Sequence, residues 1–436
     1  MDQERLKHMF SKRLRLSQKA SCRFAATLFL ILVCLALKAE GAVFNIEPNI
    51  LIGQEYNDNL FLTQYNQVGT FDTHLAPSVH LKYATSFWDW DIDYTYDYYY
   101  YWRRHIENDY YSTLHLKNKN EIIQNLFFIE VRDDYSRVSQ NSAVNYTQQS
   151  SFVNQTDQNI FTFNPYLVFK PSTNITVTPG YTFQDTHYKD GGGINRIDNI
   201  GYGNILVNLS SRLTVTTGIN YLKDQNSVQG YKQLDFFAGP NYQYAEKSSA
   251  YFMLGDSHFY FDKTNSVDGW YWFGNAGINY SKATLTAALN AGRQFNEDVQ
   301  YVLVIQDYIT ASITKTMERL VLTISATYSE YEDVLLNQVY ERSKEITATA
   351  RYRFTPRTTG IAVADYQEVN YLGAVVNGIT YNGIARIVTS NLRLDHQLTP
   401  KDTLSLVYKF TDSYSGGIAT SNYINNIYTI EYKRFF

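Results

Sequence analysis

Beyond residue 34 the 436-residue sequence contains no cysteine: Cys22 and Cys34 both fall within the first 41 residues. Once that segment is removed, no disulfide and no thiolate metal site is possible. Long apolar runs are missing as well. The stretch Ala25 to Leu37 is 13 residues, and nothing after it approaches the roughly 20 that a spanning helix needs, which excludes a helical membrane protein. Positive charge is scarce. The first 41 residues hold 8 of the 38 Lys and Arg and 3 of the 42 Asp and Glu, leaving 30 against 39, a net charge of −9. A basic face for nucleic acid is therefore absent. The eight histidines never form His-x-x-x-His, and no glycine-rich phosphate loop precedes a helix, so neither a metal nor any other cofactor is expected.

The N-terminus has its own pattern. Lys7, Lys12, Arg13, Arg15, Lys19 and Arg23 precede the 13-residue apolar run, and the small residues Ala39, Gly41 and Ala42 follow it. This is the layout of a secretory signal peptide over residues 1–41, cleaved near Gly41/Ala42, with a retained anchor helix as the alternative. Val33 is too large for the position before a lipidated cysteine at Cys34. Residues 42–436 then form one domain, with no plug segment expected ahead of the first strand.

The most telling stretch is Phe87 to Trp102, FWDWDIDYTYDYYYYW. In an extended chain Trp88, Trp90, Ile92, Tyr94, Tyr96, Tyr98, Tyr100 and Trp102 share one side, and Asp89, Asp91, Asp93 and Asp97 share the other. A buried core would not tolerate four such carboxylates unpaired. One face suits lipid and the other water, the mark of an outer-membrane barrel wall. A soluble all-β protein is the alternative, because it would alternate too.

Similar segments recur, giving an expected all-β, antiparallel, up-and-down transmembrane β-barrel of about twenty strands, eighteen being the other count. Tight turns are expected at Thr85-Ser86, Lys117 to Asn120, Pro171 to Asn174, Ser210 to Arg212, Ala245 to Ser248, Ser281-Lys282, Thr316 to Glu318, Pro356-Arg357 and Leu398 to Asp402. Longer connections are expected at Asn57 to Gly69, Ser136 to Gln155, His187 to Arg196 and Glu368 to Tyr381. Short turns alternating with long loops match the periplasmic and extracellular ends of such barrels. A two-residue turn at Thr85-Ser86 pairs Lys82 with Asp89, His80 with Asp91, Ser78 with Asp93 and His74 with Asp97 on the water side. Opposite charges facing across strands contribute about 0.2–1 kcal/mol each.

Several groups of residues receive expected roles. The five tryptophans, Trp88, Trp90, Trp102, Trp270 and Trp272, sit near strand ends as membrane-girdle residues. Arg351, Arg353, Arg393 and Lys409 project inward from late strands, opposite in sign to the early aspartates, and a transverse field across a shared lumen would follow. Tyr99, Tyr101, Tyr202 and Tyr242 are placed on the inner face, where aromatic rings could stack on sugars. Ser78, His80 and Asp91 are the only candidates for catalysis, and Ser78 and His80 on one strand face lie about 6–7 Å apart, too far for proton transfer; no enzyme is expected. The Asn57-Asp58-Asn59 cluster is ordinary loop chemistry.

Two resemblances add to this. The ending Tyr428, Ile430, Tyr432 and Phe436 resembles the C-terminal strand recognised by the barrel-assembly machinery, although Arg434 occupies a position that usually holds an apolar residue. GQEYNDNLFLT, Gly53 to Thr63, is similar to the opening of barrel porins found beside exopolysaccharide and exosortase gene clusters. That resemblance implies passage or export of polysaccharide or other polar solutes through the outer membrane of a Gram-negative bacterium. Expected partners are outer-membrane lipid, the assembly machinery, polysaccharide and envelope secretion proteins. The alternative is a non-conducting scaffold barrel whose lumen is closed by the loop Ser136 to Gln155 and by side chains.

Overall fold

The computed structural model describes residues 42–103, 105–140, 155–263, 268–376, 379–416 and 422–436. The leader expected over 1–41, and most of the loop Ser136 to Gln155, lie outside the described residues. The strand segments are β1 (Val43–Asn57), β2 (Thr70–Ala84), β3 (Trp88–Tyr101), β4 (Asp109–Ile123), β5 (Phe127–Ser139), β6 (Gln155–Leu167), β7 (Phe169–Ser172), β8 (Ile175–Tyr188), β9 (Arg196–Asn208) and β10 (Leu213–Asn226). They continue as β11 (Tyr231–Ala245), β12 (Ser248–Phe261), β13 (Gly269–Lys282), β14 (Leu285–Asn296), β15 (Val304–Thr316), β16 (Leu320–Asp333), β17 (Gln338–Thr355), β18 (Thr358–Val376), β19 (Ile379–Thr399), β20 (Asp402–Gly416) and β21 (Tyr423–Phe435). Segments β6 and β7 are one wall strand interrupted at Val168, whose N–H still bonds the Leu126 carbonyl, so the wall has twenty strands. Strands adjacent in sequence pair antiparallel, and β1 pairs with both β2 and β21. The sheet closes on itself and leaves no edge unpaired in the bilayer.

Alternation decides which residues face lipid. Ile313 and Ile324 face each other across β15 and β16 and are 57% and 58% exposed on the outside. One position along, Thr314 and Thr323 face inward with their hydroxyls 3.0 Å apart. A single register thus serves both solvents, because a one-residue slip would exchange them.

Four expectations change in detail. In the first hairpin the facing pairs are Lys82 with Asp91, His80 with Asp93, Ser78 with Thr95 and His74 with Tyr99, a slip of two residues that keeps every side chain on its expected face. The cause is Thr85: its Oγ1 accepts from the N–H groups of Phe87 and Trp88 and its N–H bonds the Trp88 carbonyl, so the reversal is centred on Ser86-Phe87 instead of Thr85-Ser86. Lys117 to Asn120 is no turn but part of β4, where Lys117 opposes Asp91, and the chain reverses around Asn125 at φ 58°. Ser281 and Lys282 likewise stay in β13, and the turn follows at Ala283, φ 49°. The span Glu368 to Tyr381 is mostly hairpin, with Glu368 opposite Arg386 and Tyr371 opposite Gly383.

Candidate functional site

The lumen is not uniformly wet. At the end carrying the longer loops, two apolar clusters are buried inside the barrel. One gathers Ile194, Tyr231, Phe259, Phe261 and Val334 around Val302, Leu303 and Ile305. The other gathers Leu62, Tyr340, Val369, Tyr371 and Ile387 around Val304, with Tyr301 against it. Residues Tyr301 to Ile305 supply side chains to both, so this short stretch runs through the lumen between opposite arcs of wall.

The cause is a hairpin bent inward. Pairing of β13 with β14 stops at Gly274 and Arg293, although β13 begins at Gly269 and β14 runs to Asn296. Phe295 has the parity of Leu289 and Ala291, whose partners Ile278 and Ala276 lie on the outer face, yet it packs on the inward-facing Phe259, ring centroids 4.8 Å apart. Ile305 shares parity with the lipid-facing Ile309 and is only 2% exposed. The end of the β14–β15 hairpin has therefore left the wall and lies inside it. Glycines allow the bend: a Cβ on Gly274 would sit 2.4 Å from the Met253 carbonyl, and one on Gly292 2.8 Å from the Gly274 carbonyl. At the seam Arg293 holds Asp307 bidentately at 2.7 and 2.6 Å and lies 4.7 Å over the Trp272 ring.

Polar contacts pin the infolded segment. Arg196, at the upper end of β9 and fully buried, donates to the carbonyls of Val302 at 3.1 Å, Asp298 at 2.9 Å and Tyr301 at 3.4 Å. Asp298 Oδ1 accepts from the N–H groups of Gln300 and Tyr301, which turns the loop tip. The loop between β8 and β9 adds a bond from the Ile194 N–H to the Val299 carbonyl at 2.9 Å. The Asn57-Asp58-Asn59 cluster does more than turn the chain. Asn59, buried, donates to the carbonyls of Thr63 and Ile424, and Asp58 accepts from Asn426 twice at 2.7 Å, so the first loop is tied to β21 with Leu60 and Leu62 buried inside.

The expected site residues fall as follows. Asp89, Asp91, Asp93 and Asp97 lie on the lumen face. His80 bonds Asp93 at 2.8 Å and His74 bonds Asp97 at 2.7 Å, while Asp91 opposes Lys82 on one side and Lys117 on the other. Ser78 donates to Asn49 at 2.7 Å and not to His80. Arg351, Arg353, Arg393 and Lys409 share the inward parity of their strands. Arg393 is already paired with Asp395 at 2.7 Å and Glu431 at 3.0 Å. Closure of β21 on β1 makes the last strands neighbours of the first: a Cβ on Gly53 would touch both His74 and Glu431. Arg393 thus sits among carboxylates of its own and a nearby strand. Tyr99 stacks on His74 at 4.3 Å and lies 6.1 Å from Tyr111 and 6.4 Å from Tyr101, and Tyr202 bonds Asn164 inside. Tyr242 is the exception. It shares parity with Phe236, is 45% exposed and faces lipid. Trp88 and Trp90 mark the short-turn end of β3, and Trp102, Trp270 and Trp272 mark the opposite end. Tyr428 and Ile430 face outward, Tyr432 donates to Asp402 at 2.6 Å, and Arg434 lies over the Phe436 ring.

No family model and no curated protein matches the chain. Solved structures do. A mutant of the ferric enterobactin receptor PfeA from Pseudomonas aeruginosa is similar with a TM-score of 0.54 at 8% identity, covering 90% of this chain and 80% of that one. The siderophore receptor PirA from the same organism gives 0.52 at 8%, with 90% and 80% covered. The FrpB iron transporter from Neisseria meningitidis gives 0.50 at 7%, with 89% and 82% covered. At such identities the likeness is one of fold. The chain is a large transmembrane β-barrel of the Gram-negative outer membrane.

Proposed function

We propose that this barrel is a gated outer-membrane channel for polar solutes, with exported polysaccharide as its leading cargo, held shut by the infolded segment Tyr301 to Ile305. The observation that carries the reading is Arg196: one buried guanidinium collects three carbonyls of a loop that no wall strand requires. A permanent filling would be packed throughout, whereas here a polar, carboxylate-lined wall continues below the apolar layer. The Tyr99 and Tyr111 rings beside His74 and Asp97 are aromatic and hydroxyl groups of the kind that bind sugar rings. The similarity of Gly53 to Thr63 to porins of exopolysaccharide clusters points the same way, with envelope secretion proteins as the partners that open it. Swelling of proteoliposomes in neutral oligosaccharides of graded size tests this: slow entry for the native protein, fast and size-limited entry when the loop is released. A second reading, a scaffold barrel that never conducts, is favoured by the two apolar clusters in the lumen. Impermeability after loop release would support it.

A further inference from the structure

The same lumen end holds a cluster that the closure does not need. Asp198 near the upper end of β9, Asp224 near that of β10 and Glu297 in the infolded loop each present a carboxylate oxygen, all within 4.8 Å of one another. Asp198 and Asp224 are 0% exposed. Among the described residues neither Asp198 oxygen nor Asp224 Oδ2 receives a hydrogen bond from a donor group outside the cluster, while Asp224 Oδ1 accepts from Asn226. Arg196, whose nearest guanidinium nitrogen is 3.6 Å from Glu297, is the neighbouring cation. Asp198 and Asp224 are shut off from solvent while Glu297 is partly exposed, so ionising all three sets two surplus negative charges beside one guanidinium, an arrangement that burial of the two aspartates disfavours.

We propose that Asp198, Asp224 and Glu297 form a calcium-binding site that fastens the infolded loop to the wall. Charge and donor type both fit: two surplus negative charges match a divalent ion, and an all-oxygen set suits a hard cation. Calcium binds its ligands at about 2.3–2.6 Å, so oxygens on one ion lie up to about 5 Å apart. Two ligands come from neighbouring wall strands and the third from the loop, so the ion spans the two parts that must separate on opening. Among the described residues the other group of this kind, His80 with Asp91 and Asp93, is part-exposed and internally hydrogen-bonded. The gating consequence rests on the channel reading; binding itself does not.

Terbium is the probe. Tyr231 faces Asp224 directly across β10 and β11 and can sensitise a bound lanthanide. In full-length protein in detergent, stripped of metal, tyrosine excitation should give saturable terbium emission that calcium displaces at concentrations of about 10⁻⁴–10⁻³ M, the range of extracellular sites. Glu297→Gln, which changes only the loop, and Asp198→Asn should each weaken terbium binding at least tenfold while the barrel keeps its native gel mobility. Emission indistinguishable between native protein and both variants overturns the proposal. A bilayer that stays silent even after the loop is released, while terbium binds at this site, speaks against the channel reading and supports the site; a channel that conducts on loop release without site-dependent terbium binding does the reverse.

Discussion

The Arg196 guanidinium donates to the Val302 carbonyl at 3.1 Å, across 106 residues of sequence. It joins a wall strand to a loop that has left the wall. Replacing Arg196 with Ala strands the buried Val302 carbonyl, at a cost of about 1–3 kcal/mol, and frees the part-buried carbonyls of Asp298 and Tyr301. The loop should be released while the barrel persists. Single-channel recordings should show conductance raised severalfold, with longer openings, and limited proteolysis should cut between Glu297 and Leu303. Arg196→Lys, with one charge but no fork, should be intermediate. A recording like that of the native protein would mean that apolar contacts alone hold the loop.

Those contacts have a test of their own. Leu303 is buried among Phe259, Val334 and their neighbours, and truncation of a buried leucine costs about 2–5 kcal/mol. Leu303→Ala should make cells expressing the protein take up a bulky polar antibiotic faster. Uptake at the native rate would place the barrier elsewhere.

The two-faced wall makes a paired prediction. Ile324 faces lipid on β16, where a lysine costs up to about 2–4 kcal/mol. Thr323, beside it, faces the lumen. Ile324→Lys should lower the temperature at which the folded band converts in a detergent gel, and Thr323→Lys should leave it nearly unchanged. Equal shifts would contradict the assignment of faces.

Period-two alternation carried most of the fold. Ile92, Tyr94 and the facing aspartates are legible because water and lipid impose opposite demands on adjacent residues, so the barrel and its strand number follow from pattern. The turn at Lys117 to Asn120 was misleading because charged and amide residues also line a wet lumen; Lys117 is inward-facing wall, not loop. The gate left a fainter trace. Val302, Leu303, Val304 and Ile305 break the alternation with four apolar residues in succession, which in a barrel means that both faces are buried. That signal is present in the sequence, but only the bend at Gly274 and Gly292 shows where it goes. Asp198, Asp224 and Arg196 gave no local sign, because their significance depends on a loop about a hundred residues away.

Lumen charge yields a further prediction. Asp91 and Asp93 line the wall next to Lys82, Lys117 and His80. Changing both to Asn in the Arg196→Ala background should move the reversal potential toward that of an unselective or anion-favouring pore. An unchanged potential would remove these residues from the conducting path.

Conductance in a planar bilayer, compared between the native protein and one whose residues 298–302 are replaced by two glycines, bears most directly on the whole account. The native protein should give rare, brief openings, and the shortened loop a steady open channel. Equal silence from both, with the barrel folded, would contradict the gate and leave the lumen closed for another reason.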